Sequence, residues 1–356
     1  MSQDDTNPAA WRAISTLYNA LVTAMVVSLV VRRGSAVARD YVFGHFRRQH
    51  LEKFKDGLIK LGLTGKPDAV ACALYHYHSN ALGGVKTEYV RESDKKAWVR
   101  YPPPRWMWRG TSIAAIPHEV SAAMLHGWHG HNGVSLGNPC LGFVCTGMTV
   151  DGMPGLEGYY LDYERDLAPE ERVRFAYGEE TMPRFDPVSA PALDVASWPQ
   201  ARLARTHRRY AMEYVRSMLP VLQDLLGPSD AKAELARVAR LVGLQFHEEC
   251  AQKTTGHAAS PSPDSARTYA SWLAAMLRAQ GEEVAVDEAG DTTRIVITRW
   301  RLAEGLDLAD LPGAFAAWNE LWVGACAAHD RFLRLDTTHL LAAGALAVAW
   351  TIKPAD

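Results

Sequence analysis

Cys326, His329 and Asp330 stand at positions i, i+3 and i+4 around the end of the apolar run 314–329. That spacing puts a thiol, an imidazole and a carboxylate on one side of a helix. A thiolate beside an imidazole is a competent nucleophile, and a neighbouring carboxylate raises the imidazole's basicity and fixes its tautomer. The plainer account of Cys326 is a core thiol, because inert cysteine is among the most buried residue types. His247 and Glu248, in the string FHEEC, offer a second general base with an orienting carboxylate; a buried histidine bonded to backbone is the structural alternative. The third group is LHGWHGHNG. There His126 and His129 share a helical face, and His131 follows where glycines end the helix. Three imidazoles so close suit a divalent transition metal, with His76 or His78 completing the set. Histidines in a last turn also satisfy terminal carbonyls and the helix dipole.

Arg100 and Arg299 each precede an aromatic at the end of a strand-like segment, where a guanidinium can hold a substrate carboxylate bidentately or stand solvated. Tyr160 and Trp322 are candidates to line an apolar pocket for a ring-shaped ligand, although aromatics at helical spacing also fill cores.

The elements that must position these residues occur twice. An aromatic-His pair ends a helical stretch at Tyr77-His78 and again at Phe246-His247, 169 residues apart. Residues 91–101 then correspond to 287–300, with Arg100-Tyr101 opposite Arg299-Trp300. A helix follows in each half, ending on His131-Asn132 and His329-Asp330, 198 apart, and glycine-centred strand pairs at 149–163 and 338–352 close the halves. The order of helices, strand, helix and strand pair is α+β, not the alternation of a doubly wound sheet. The expected fold is two tandem pseudo-symmetric repeats, each with an antiparallel sheet packed by helices. Its parts are an N-terminal helix over 1–40, a first α+β repeat over 41–164, a connection over 165–200 and a second repeat over 201–356. Val284, Val286, Ile295 and Ile297 alternate around the turn signal Gly290-Asp291, which predicts a hairpin. The loop 254–265, with two prolines and three serines, breaks the helices of the second half.

Composition bounds the partners. The 356 residues are 48% hydrophobic and 22% charged, with 38 basic and 40 acidic side chains for a net charge of −2. That is globular, and with no basic excess it excludes a nucleic-acid footprint. Five scattered cysteines without a CxxC pair fit a reducing compartment, the cytoplasm. Residues 13–31 carry no charge and are long enough for a membrane span. The stripe Arg12, Thr16, Asn19 and Thr23 and the acidic leader favour a packed helix over a span or a signal. GxGxxG, Walker A, GxSxG and HExxH are all absent from the sequence, which removes the usual support for nucleotide, lipase and zincin readings.

The stretch 295–352, with WNELWVGACAAHDRFL followed by LRLDTTHLLAAGALAVAWTI, resembles the L-2-amino-thiazoline-4-carboxylic acid hydrolase family. The resemblance rests on Cys326 four residues before Asp330 near a helix end and on the closing glycine-containing hairpin. It covers the last quarter of a chain about twice the family's length, as a fusion of two such units would be. The resemblance implies hydrolytic opening of a C–N bond in a small cyclic amidine or amide, with Cys326, His329 and Asp330 at work. The alternatives are a non-catalytic module that binds a small molecule or a metal through its histidines, and a lyase or isomerase on the same scaffold.

Overall fold

In the computed structural model, which describes residues 7–194, 196–255, 264–342 and 345–355, the chain forms two compact units. One is Val26–His207; the other joins Met1–Met25 to Arg208–Asp356. The protein is α+β, two repeats of one order of elements, each with a sheet packed by helices. The first repeat runs α1 (Pro8–Arg33), α2 (Ser35–Lys60), α3 (Asp68–Leu82), β1 (Glu88–Arg91), β2 (Lys96–Tyr101), α4 (His118–Gly127), the short α5 (Asn132–Leu136), β3 (Leu141–Gly147), β4 (Leu156–Asp162) and β5 (Val173–Phe175). The second runs α6 (Gln200–Leu226), α7 (Pro228–Thr255), α8 (Ser265–Gln280), β6 (Val284–Ala289), β7 (Thr292–Ile297), α9 (Leu311–His329), β8 (Leu333–Ala342) and β9 (Ala345–Pro354). The strand orders are β1-β2-β4-β3-β5 and β6-β7-β9-β8, so the first four strands of one sheet and all four of the other share an order. Every pairing is antiparallel except β3 with β5, which is parallel.

The repeat also holds at the level of single contacts. Helix α4 crosses α2 so closely that a Cβ added at Gly127 would fall within 3.0 Å of the Phe43 carbonyl oxygen. Helix α9 crosses α7 in the same way, with Gly324 against the carbonyl of Arg240. Both residues of each pair are displaced by 197, the offset that also carries Asp68, the start of α3, onto Ser265, the start of α8. Glycine is needed at these crossings because the backbones meet where a side chain would stand.

Local chemistry explains the boundaries. Asp310 caps α9 by accepting from the Gly313 N–H (2.9 Å), with Pro312 in the first turn. Gly281, at φ 99°, ends α8 in the left-handed conformation. The β6–β7 hairpin turns at Gly290 (φ 60°), where the sequence predicts it, and buries Ile295 and Ile297 while leaving Val286 exposed. Most of the loop 254–265 and the centre of the last strand pair, 343–344, lie outside the described residues.

The acid- and proline-rich segment 165–200 belongs to the Val26–His207 unit. It supplies β5, and Ala176, Met182 and Phe185 pack on Trp98, Val144 and Tyr159 of the sheet. Helix α1 is long and apolar enough to cross a membrane, with mean hydropathy 1.9 over an 18-residue window that is half buried. Tyr18 donates to Gln280 Oε1, and Thr16 accepts from Lys253 Nζ at 2.8 Å, so two positions on α1 are partnered by the protein itself.

Candidate functional site

The carboxyl-terminal unit brings His247 and His329 together: Nε2 of the first and Nδ1 of the second are 3.0 Å apart, and both rings are buried. Burial pushes His247 down to about 3. His329 is also lowered by burial, against the backbone of Ser265 and the charge of Asp330, which pull it upward. Asp330 thus favours the imidazolium as the spacing predicts, but desolvation outweighs it. Its carboxylate Oδ1 accepts from the Phe332 N–H (2.9 Å), a turn at the end of α9. Cys326 is 2% exposed, and burial followed by the Asp330 charge pushes its thiol up to about 12. Burial of this kind favours the neutral thiol over the thiolate. Glu248 points away from this pair, exposed on α7 and accepting from Gln252 Nε2 (3.2 Å). Trp322 is a core ring between Trp318 and Trp272, with centroids 5.6 and 5.9 Å away.

The amino-terminal unit disperses the LHGWHGHNG histidines. His126 lies near Phe175, with ring centroids 6.0 Å apart. His129 is buried and stacks on His76 (centroids 4.2 Å, planes 5° apart). Its Nδ1 lies 2.7 Å from the Tyr160 hydroxyl, which also accepts from Asn132 Nδ2 at 2.8 Å. His131 instead meets His50, edge to face at 5.1 Å. Among the described residues no three His, Cys, Asp or Glu side chains converge as a metal would require. Tyr160 is therefore held inside a polar core network.

Two of the expected equivalences move. His78 lies on α3 and His247 on α7, helices in different places of the repeat. The partner of His247 is His50 on α2, 197 residues earlier, and His50–His131 reproduces His247–His329 with the same 5.1 Å between centroids. His131 and His329 make equivalent ring contacts, but only His329 ends a long helix: α4 stops at Gly127, and His131 lies in a 3-10 turn beyond it. Arg100 lies within β2, bound to Glu88 (2.8 Å), Glu157 (3.4 Å) and the Pro154 carbonyl (3.2 Å). Arg299 lies beyond the end of β7, exposed beside Glu304 (3.1 Å). The two arginines are not equivalent, and Arg100 is already neutralised by protein carboxylates.

A cleft of about 750 Å³ opens in the amino-terminal unit between the end of α2, α3, β1 and residues 184–194 with 197–198. Leu63, Val70, Leu74, Tyr89 and Trp198 line it, and all are buried. His78, 6% exposed, lines it too and is pushed down to about 4 by burial and then by Lys66. Lys66 and Arg184 stand at its exposed rim. From the sequence His78 stands out as a candidate metal ligand and as the supposed counterpart of His247, while Lys66, Arg184 and Trp198 belong to no site motif. A tryptophan inside a proline-rich segment was the one available signal, since such residues seldom stay in solvent.

Comparison with protein-family models, curated proteins and solved structures finds no match.

Proposed function

We propose that this chain is a small-molecule-binding protein whose ligand site is the cleft of the amino-terminal repeat. The observation that carries this reading is the cleft itself. Its 750 Å³ falls in the range of roughly 300–1,000 Å³ typical of small-molecule sites, and its floor is apolar with a few polar groups at defined places.

Binding is preferred to turnover on chemical grounds. Hydrolytic opening of a C–N bond, which the family resemblance implies, needs an activated water or a thiolate. Cys326 is held as a thiol at about 12. His78, at about 4, is neutral at pH 7 and accepts a hydrogen bond, but is a weak base for abstracting a proton from water. A divalent metal is not part of the proposal, for want of a converging ligand set among the described residues. A cytoplasmic location is part of the proposal, supported by five scattered cysteines without a CxxC pair.

Ligand-observed NMR of the full chain against a mixed set of small fragments tests the reading. Hits should disappear when Ser189→Trp fills the cleft mouth, with circular dichroism unchanged. Hits that persist in the folded variant overturn it. Hydrolysis of a cyclic amidine or amide by the wild-type chain would replace binding by catalysis.

A further inference from the structure

The two repeats differ around this cleft in a way that points to a ligand class. Displaced by the repeat offset of 197, Val70, His78 and Arg91 become Arg267, Ala275 and Glu288. In the carboxyl-terminal repeat Arg267 Nε and Glu288 Oε2 form an ion pair at 3.1 Å. A salt bridge therefore joins the positions whose counterparts, Val70 and Arg91, line the cleft of the amino-terminal repeat. The histidine of the cleft floor is a methyl group there, and Lys66 has Pro263 as its counterpart in the sequence.

Charge inside the cleft is unevenly satisfied. Its lining holds Lys60, Lys66, Arg91 and Arg184 against Asp186 and Asp194. Arg91 is paired with Asp94, and Lys60 with Asp56 at 4.0 Å. Asp186 accepts from the Val188 N–H (2.9 Å), and Asp194 from the N–H groups of Ala196 (3.1 Å) and Ser197 (3.2 Å), so both carboxylates are spent on their own turns. Among the described residues no carboxylate lies within ion-pair distance of Lys66 or Arg184. Two cations thus stand above an apolar floor with a neutral imidazole beside it.

We propose that the cleft binds a small organic anion, a carboxylate held at the rim by Lys66 and Arg184 with its apolar body over Leu74, Tyr89 and Trp198, and that only the amino-terminal repeat does so. The proposal rests on the reading of the cleft as a ligand site. Arg184 suits the anion because a guanidinium meets a carboxylate through two parallel hydrogen bonds. Lys66 adds a second positive charge at the rim, and His78 supplies one neutral donor or acceptor for a polar substituent.

The test uses the full chain and three probes: phenylacetate, phenylacetamide of the same shape without charge, and inorganic phosphate. Saturation-transfer NMR and quenching of tryptophan fluorescence read binding. Phenylacetate should bind more tightly than the amide by about 10-fold or more, the worth of one charge-assisted contact. Arg184→Ala and Lys66→Ala, both at exposed positions, should each weaken phenylacetate to a similar extent and leave the amide unchanged. Arg267→Ala in the other repeat should change neither. Equal affinity for acid and amide overturns the anion class and leaves the cleft as a ligand site. Phosphate binding with the same arginine dependence, without phenylacetate binding, overturns the apolar body. Loss of phenylacetate binding in Arg267→Ala overturns the restriction to one repeat. No binding of any probe, with fragment hits still lost on filling the mouth, overturns this ligand class alone; no fragment hits either would fell the underlying reading with it.

Discussion

The pairs His50–His131 and His247–His329 occupy the same place in two copies of one fold, yet their surroundings have diverged. In the carboxyl-terminal repeat the rings are hydrogen-bonded to each other, and His247 Nδ1 has no partner among the described residues. In the amino-terminal repeat His50 and His131 belong to a larger aromatic cluster with Trp128 and Phe54, next to the His76–His129 stack. That repeat buries five histidines (His45, His50, His76, His78 and His129), and the other buries two among the described residues. It also has the cleft, and the positions matching its Val70 and Arg91 carry an ion pair, Arg267–Glu288, in the other repeat. Backbone crossings at glycine are kept in both copies, whereas buried polar groups and surface cations are not. A duplicated scaffold is held by sterics that tolerate no side chain, while the groups that could meet a ligand are free to differ.

Acid should separate the repeats most strongly. His45, His50 and His76 are pushed down to about 3, His78 to about 4, and His129 is lowered as well, all chiefly by burial; in the other repeat this holds for His247 and His329. The folded state therefore binds fewer protons than the unfolded one below the unfolded pKa of ~6.5. Stability present above that pH is lost as pH falls toward the folded values, by about 2 kcal/mol at pH 5 for each histidine held at about 3. Hydrogen exchange at pH 5 against pH 7.5 should show the amino-terminal repeat losing protection first. Equal loss in both repeats would break the comparison.

Thiol reactivity comes next. Cys326, at about 12, has a thiolate fraction about 10³-fold below that of an ordinary cysteine. Alkylation followed by peptide mapping should modify the half-buried Cys140 of the first repeat long before Cys326. Early modification of Cys326 would restore it as a nucleophile.

Gly127→Ala and Gly324→Ala should each destabilise by about 1–3 kcal/mol, because both force helices apart at an equivalent crossing. Urea unfolding measures this, and a large effect at one site with none at the other would mean that the crossing is not shared. The smallest effect belongs to Asp330→Asn. The amide oxygen still accepts the Phe332 N–H, so stability should stay within about 0.5 kcal/mol of the parent, with phenylacetate binding untouched. A loss above 2 kcal/mol would show that the Asp330 charge, which favours the imidazolium of His329, matters more than burial allows.

Much of this protein follows from its sequence alone. The repeated order of elements and the hairpin at Gly290-Asp291 are local patterns of period and turn, and each is written within a few tens of residues. The equivalence of His78 with His247 failed because helical periodicity marks a face without saying which neighbouring helix it meets. Only the crossings at Gly127 and Gly324 show that α7 answers to α2, and so His247 to His50. The fate of Cys326 was equally hidden: spacing places it near an imidazole and a carboxylate, but its protonation depends on how much water remains around it, which is a property of packing. The cleft was the least legible feature. Its walls, drawn from residues 59–91 and from 184–194 with 197–198, are a hundred residues apart, and no local pattern encodes that a proline-rich stretch returns to bring Trp198 into the same cleft as His78.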